Sequence, residues 1–598
     1  VKTKSEPGEE SMPPAKRTRG GKAGGQSAQS GTVKLTLPVR ESNQDSLCTF
    51  AKCFPTITHM EDCIGIADEM VPVKFRGKQL TLDTGRTLIA WEPVQKDSPQ
   101  GQLTFTEGGT QKTVPAFMKC MPLINGYNWL RYKDRPNLPF FWSFQPDDCL
   151  QSCNQAYVDA VASFLANKAA QTVRSQHICD FYGCFRGVAD TFFYNLEDDF
   201  EDFRFTNWFW DGFDKEEFGL RIIERNSGRR LTKEEMFEQF RPDKEFLQDD
   251  MDSESDDSSE DDSESSNSIG AESLPSEFET TEPRTPFGVD TEGIHFTTRG
   301  VSLSQSIGTA SSFSTASHTD TDCSFSDEYI IHAECFGMPV VTMFLEQMEG
   351  AMDDLLEQSE HAPIQTADQE TRWLAWLFQV CAACAQLQSI LHLTHNDLHT
   401  NNVMFKRTTQ EWVYYKDTGG TVWRIPTFGY IFTIIDYGRA IFTISGYTMI
   451  SSDYDDGHDA FGMYNFGPIE DETQPRVHPN RSFDLCRLSC SLLRGLFPVN
   501  PVSKEKGMIL TKEGTWEVRE TTQAVFNLIW GWLKCKDGTN CLETETGDEK
   551  YPDFSLYIQI AANVHSAVPR DQIVKQVFRK FIHQSGAPTT QSCSFVPT

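Results

Sequence analysis

HNDLHTNNVMF, residues 395–405, decides how this chain is read, together with IIDYGRA at 434–440. The first stretch sets His395, Asp397 and Asn402 in one polar loop directly ahead of the apolar pair Val403 and Met404. The second ends an apolar run on Asp436, Tyr437 and Gly438. An ordinary surface loop needs no such set, whereas a loop that holds a hydroxyl and a metal beside a phosphate does. Asp397 would orient the attacking hydroxyl and accept its proton, and Asn402 and Asp436 would supply the oxygen ligands that a hard Mg²⁺ ion requires. Gly438 lets the backbone turn close by. His395 suits packing and hydrogen bonding that hold the loop better than it suits the chemistry.

Working outward, 598 residues are too many for one compact core, so two or three folding units are expected. Hydrophobic residues make up 38%, and 43 phenylalanines supply material for real cores. A formal net charge of −32 argues against general binding to nucleic acid, whose phosphates would repel it. No apolar run approaches the roughly 20 residues of a membrane span, and the sequence opens without a secretory signal. The 17 cysteines are odd in number and scattered, which suits reduced intracellular thiols. Cys381 and Cys384 form a CxxC inside the helix-period run TRWLAWLFQVCAACAQLQSIL and are expected to be core residues. Cys535 and Cys541 lack partners at zinc-site spacing, so no structural metal is predicted.

Composition divides the chain. Residues 1–31 form a Gly/Ser/Pro/Lys-rich tail, expected to be disordered, with the basic run PAKRTRGGK inside it. Short β-like runs alternate with turns from about 33 to 195, and QAYVDAVASFLANKAAQTV reads as a helix. Residues 249–264 carry ten acids among serines, and low complexity continues to about 325, so 249–325 is expected to be a disordered insertion. Order returns with the buried-strand pattern IIHAECFGMPVVTMFLEQM. Helical runs end the chain: SFDLCRLSCSLLRGLF, TTQAVFNLIWGWLKC, SLYIQIAANVHSAV and RDQIVKQVFRKFIHQ. Strands first and helices last predict an α+β protein of two lobes.

HxDxxxxN followed by Asp-aromatic-Gly is the phosphotransfer pattern of protein kinases. On these residues the chain resembles the protein-kinase superfamily, and more closely the divergent kinase-like family of large nucleocytoplasmic DNA viruses. HNDLHTNNVMF, YIFTIIDYGRAIF, PRVHPNRSFDLCRLSCSLL and EKYPDFSLYIQIAANVH carry the likeness in the second half. VPAFMKCMPLINGYNWLRY, NQAYVDAVASFL and DFYGCF carry it in the first, and together these blocks span about 100–240 and 328–585.

The resemblance implies a two-lobed kinase-like fold. Residues 32–345 would form a β-rich N-lobe interrupted by the insertion, and 346–598 a mainly helical C-lobe. It implies ATP and Mg²⁺ as cofactors, a protein substrate phosphorylated on Ser or Thr, no membrane, and a host-cell cytoplasmic, nuclear or virion-associated setting. Lys119, in FMKCMPL, takes the place of the phosphate-binding lysine, and Asp159 that of the helix glutamate that pairs with it. Lys74, in MVPVKFRG, is the rival lysine. Leu345 would line the back of an adenine pocket, and Glu346 to Met348 would offer it backbone groups. Asp484 would support the catalytic loop, with Arg439 and Arg487 as further partners.

The pattern also departs from the family. EGGTQKT, with Gly108 and Gly109, is the nearest substitute for the glycine-rich loop. His399 stands where common Ser/Thr kinases carry a lysine, and no Ala-Pro-Glu follows the Asp-Tyr-Gly. Two alternatives to an active protein kinase therefore stay open: a pseudokinase scaffold, which the degraded glycine loop favours, and a small-molecule phosphotransferase, which fits His399.

Overall fold

The alternating runs of the first half fold into one antiparallel sheet, and the helix-period runs of the second half pack as helices, giving a mixed α+β protein. The computed structural model describes residues 82–131, 153–248, 328–501 and 521–583, a few positions inside these segments excepted. It also describes strand segments at 57–62, 74–75, 78–79, 508–510, 516–518 and 592–594. The tail at 1–31 and the acidic insertion at 249–325 lie outside the described residues.

The sheet contains β1 (Ile57–Asp62), β2 (Arg86–Pro93), β3 (Gln100–Glu107), β4 (Thr110–Pro122), β5 (Phe181–Asn195), β6 (Gly219–Glu224) and β7 (Tyr329–Glu346), in the order β1-β5-β7-β4-β3-β2 with β6 also on β7. The 18-residue β7 is its spine. The first part of β7 pairs with β6 (Leu220↔Ala333) and the last part with β4 (Lys119↔Met343), while β5 follows both. Gly337, at φ +67°, lies between the two pairings, a conformation that favours glycine. A strand of that length cannot stay flat under the right-handed twist, so the sheet curls.

Helix α1 (Gln155–Val173) covers the range read from the sequence. Asn154 caps it by accepting the Ala156 amide at 3.0 Å. Its alanines let β5, β7 and a long second-half helix approach it closely. Two short aromatic-rich helices, α2 (Asn207–Asp214) and α3 (Lys233–Phe240), flank β6.

The long helix is α4 (Ala367–Leu391), opened by a capping box between Thr366 and Gln369. It has the length and apolarity of a membrane span, more than its sequence suggested. Yet 89% of its most apolar window is buried inside the protein, as befits a core helix. Cys381 and Cys384 are buried, unbridged thiols in its interior. Around it lie β8 (Val403–Arg407) paired with β11 (Tyr430–Ile434), β9 (Trp412–Lys416) paired with β10 (Val422–Pro426), and helices α5 (Phe483–Leu496), α6 (Ala524–Trp532) and α7 (Ser555–Asn563).

One helix expectation needs correction. RDQIVKQVFRKFIHQ forms only α8 (Pro569–Ile573) and a separate 3₁₀ turn, Gln576–Phe581. Lys575 between them is extended, at ψ 151°, and Phe578 and Phe581 beyond it are buried. Burying those two rings outweighs continuing a regular helix.

Candidate active site

Three chain segments far apart in sequence meet at Lys119. Its strand position on β4, opposite Met343, places the ammonium Nζ 2.6 Å from Asp159 Oδ2 on α1 and 2.9 Å from Asp436 Oδ1. The shorter Asp therefore reaches the lysine without a glutamate's extra methylene. Asp159 is 1% exposed, and its other oxygen accepts the Tyr437 amide at 3.0 Å and the Ser163 hydroxyl at 3.2 Å. One carboxylate thus ties the lysine strand to the Asp-Tyr-Gly turn. Burial opposes the Lys119 charge, but Asp159 and then Asp436 outweigh it and hold the ammonium well above the usual lysine range. Burial likewise opposes the Asp436 charge, and Lys119 reverses that, drawing the carboxyl down.

Asp436 sits at φ +66°, a left-handed conformation that costs a non-glycine residue about 1 kcal/mol or more. Strain of this kind persists where the surroundings fix it. Here the Tyr437 amide is held by Asp159, and the Tyr437 hydroxyl donates to the Ile434 carbonyl at 3.1 Å. Gly438 lies against α1, where a Cβ would stand 3.1 Å from the Gln155 side chain. The chain beyond continues to dock there. Gln155 donates to Asp453 at 2.9 Å, Arg439 donates to the same Asp453 oxygen at 3.1 Å, and the Ser452 amide donates to the Cys153 carbonyl at 2.7 Å.

The polar loop is held from beneath. Asp484, near the start of α5, accepts the backbone amides of His395 and Asn396 on one oxygen at 2.9 and 3.0 Å. His395 accepts the Asp397 amide on Nδ1 at 3.4 Å and donates from Nε2 to the Ile435 carbonyl at 2.8 Å, which joins the loop to the strand before Asp436. Asn402 donates to the Asp397 carbonyl at 2.9 Å. Among the described residues its Oδ1 has no hydrogen-bond partner, so it remains an oxygen donor for a cation.

Asp397 is half-buried among cationic and hydroxyl groups. Tyr557 on α7 donates to its Oδ1 at 2.8 Å, and Arg487 on α5 donates to the Tyr557 oxygen at 2.7 Å. The Arg439 guanidinium and His399 stand 3.9 and 4.0 Å from its other oxygen. Burial would raise the Asp397 pKa, but Arg439, His399, Arg487 and the Tyr557 hydroxyl together hold it well below the usual carboxylate range. His399 itself is pushed down to about 4, by burial first, so at neutral pH it carries no charge. The permanent positive charge beside Asp397 comes from Arg439.

The stretch from Leu345 to Met348 carries the chain out of the end of β7. Leu345 is buried, opposite Phe117. The Glu346 amide donates to the Asp180 carbonyl at 2.8 Å, its carbonyl accepts the Cys179 thiol at 3.4 Å, and its side chain pairs with Lys406 at 2.7 Å. Glu346 is thus consumed in joining β7 to the Asp180 turn and to β8. Among the described residues neither the amide nor the carbonyl of Met348 has a partner. Lys74 lies on a two-residue strand outside the main sheet, and Gly108 and Gly109 form the β3–β4 turn at positive φ.

Sequence reasoning missed Tyr557, Gln155 and Asp453. Tyr557 lies in a quoted block, but it meets Asp397 only through the packing of α7, 160 residues on. No periodicity or spacing signals such a contact. Among the described residues no group of three or more His, Cys, Asp or Glu side chains is arranged to hold a metal ion. No protein-family model matches this chain, and no curated protein matches it.

Proposed function

We propose that this protein is an ATP- and Mg²⁺-dependent protein kinase of the Ser/Thr type, with a two-lobed kinase-like fold related to that of large DNA viruses. The observation that carries the proposal is the convergence of Lys119, Asp159 and Asp436 at 2.6 and 2.9 Å, next to a loop that presents Asp397 and Asn402. A scaffold has no need to spend a buried lysine and two carboxylates on one junction, given what desolvating each charge costs.

When bound, Mg²⁺·ATP supplies the transferable phosphoryl group and neutralises charge as it develops. Asn402 Oδ1 and Asp436 would hold the ion, and Lys119 would hold the phosphates. Asp397 keeps its carboxylate ionised through neutral pH. With one oxygen occupied by Tyr557, it offers the other to the acceptor hydroxyl. A carboxylate held so acidic is a weak base, so it chiefly orients the hydroxyl and takes the proton late in transfer. Arg439 places positive charge beside the same oxygen.

The test is phosphate transfer to generic protein acceptors alongside Mg²⁺-dependent thermal stabilisation by ATP. Asp397→Asn should keep the ATP-induced shift and lose transfer by about 10²–10⁴-fold. Asp436→Asn should lose the Mg²⁺-dependent shift. Wild type that binds Mg²⁺·ATP yet labels no acceptor would favour the scaffold. Labelling confined to small acceptors would favour the small-molecule phosphotransferase, consistent with the neutral His399.

A further inference from the structure

The Arg439 guanidinium lies between two carboxylates. Its Nε donates to Asp453 Oδ2 at 3.1 Å, and its Nη1 stands 3.9 Å from Asp397 Oδ2. The second distance is too long for a hydrogen bond. Tyr557 occupies the other Asp397 oxygen, and among the described residues Oδ2 accepts no hydrogen bond. One oxygen of Asp397 is therefore open although a partly buried guanidinium stands beside it. Left to themselves such groups close up, because arginine and carboxylate bond best at about 2.7–2.9 Å, often through two parallel contacts.

What holds them apart is built into the chain. The Arg439 carbonyl accepts the Asn396 side-chain amide at 3.0 Å and the Tyr454 hydroxyl at 2.7 Å, which fixes its backbone. Asp453 is fixed separately. Its amide donates to the Ser451 hydroxyl at 3.1 Å, its carbonyl accepts the Ala460 amide at 2.9 Å, and Gln155 at the start of α1 donates to its Oδ2 at 2.9 Å. The guanidinium donors form one rigid plane, so directing Nε at Asp453 also sets how near Nη1 comes to Asp397.

We propose, on the kinase reading given above, that Asp453 is a positioning residue for phosphoryl transfer: it holds the Arg439 guanidinium back from Asp397 and so keeps Asp397 Oδ2 open to the acceptor hydroxyl. Coulomb attraction falls only as the inverse of distance, whereas a hydrogen bond is lost by 3.9 Å. Arg439 thus lends Asp397 its charge without taking the oxygen that the acceptor needs. Burial opposes the Asp397 charge, and Arg439 is first among the groups that offset it. Through Gln155 the helix that brings Asp159 to Lys119 also steadies this restraint.

The test compares the full chain with Asp453→Ala, Arg439→Gln and the double variant, reading kcat for a generic protein acceptor, KM for ATP and the Mg²⁺·ATP thermal shift. Asp453→Ala should lower kcat about tenfold or more while KM for ATP and the thermal shift stay unchanged, since Lys119, Asn402 and Asp436 are untouched. Adding Arg439→Gln to Asp453→Ala should raise kcat again, because the group that closes on Asp397 is gone. A purely structural Asp453 would instead make the double variant slower than either single. Should Asp453→Ala not fold, Asp453→Ser, too short to reach Nε, is held to the same outcomes. Wild-type kcat in the Asp453 variant, or a double variant slower than both singles, would overturn the proposal. A crystal structure of the Asp453 variant needs no turnover. An Arg439 nitrogen within about 3 Å of Asp397 Oδ2 is expected, and an unchanged separation would overturn the proposal. Wild type that transfers no phosphate would defeat the kinase reading, and the crystal structure would still decide the role of Asp453.

Discussion

Replacing Lys119 by methionine removes the cation that Asp159 and Asp436 share. The two carboxylates are not equally affected, because the Asp159 side chain is 2% exposed and that of Asp436 is 38% exposed. Asp436 can turn to water and adds no more than about 1 kcal/mol. Asp159 keeps the Tyr437 amide and the Ser163 hydroxyl, yet its charge stays buried without a counter-ion. Breaking a buried pair from one side costs about 3–5 kcal/mol. Neutralising an ordinary carboxyl at pH 7 costs about 4 kcal/mol, which sets the ceiling. Lys119→Met should therefore destabilise by about 3–4 kcal/mol at pH 7, and by less at pH 5, where a proton is easier to take up. Adding Asp159→Asn removes the stranded charge, so the double variant should be more stable than the sum of the singles by about 1–3 kcal/mol. Denaturant unfolding of the four proteins, with Mg²⁺·ATP binding measured alongside, reads both quantities. A Lys119→Met cost under about 0.5 kcal/mol, or strict additivity, would refute the shared-cation account.

Further outcomes follow from the same contacts. His177 is fully buried, donates from Nδ1 to the Phe432 carbonyl and accepts the Tyr415 hydroxyl on Nε2; burial pushes its pKa down to about 4. Only the unfolded chain takes up its proton between about pH 6.5 and 4, so this contribution is full above pH 6.5 and is lost as pH falls through that window. About 2 kcal/mol should be gone by pH 5, and His177→Phe should flatten the fall in denaturant midpoint between pH 7 and 5; an equally steep fall would exclude His177 as its source. Asp484→Ala strands two loop amides and should cost about 2–4 kcal/mol, with faster hydrogen exchange confined to 395–402. Protection as in wild type would show that the loop stands without it. Tyr557→Phe should leave ATP affinity unchanged, slow transfer about tenfold and move the acid limb of the pH–rate profile to higher pH, since Asp397 loses a hydrogen bond that favours its charged form. An unmoved limb would mean that the hydroxyl does not act on Asp397.

Local signals carried much of the fold. Residues 155–173 are bounded by Asn154 and the left-handed Arg174, and apolar residues fill the run between them, so the helix could be read residue by residue. The strand ending at Glu346 and the loop from His395 to Asn402 were equally legible, because each depends on neighbours in sequence. Four features were not: the break at Lys575, the engagement of the Glu346 backbone, the Tyr557 contact and the approach of Cys486 to Cys541. Each is set by groups that meet only after folding, and the Cys486–Cys541 approach spans 55 residues. Lys119 and Asp159 were found through family resemblance, since a lysine on a strand and an acid on a helix carry no signal of their pairing.

The way the polar loop is anchored bears on how this protein could be divided or borrowed. Asp484 lies 89 residues after His395, and Tyr557 lies 160 after Asp397. A fragment ending before α7 would contain every residue of the diagnostic motif but would leave Asp397 without its hydroxyl donor. A graft of residues 395–440 into another scaffold would also leave Asp484 behind. Gene fission, circular permutation and motif transplantation are therefore best planned around the 395–563 span as one indivisible unit, with cuts placed elsewhere in the chain.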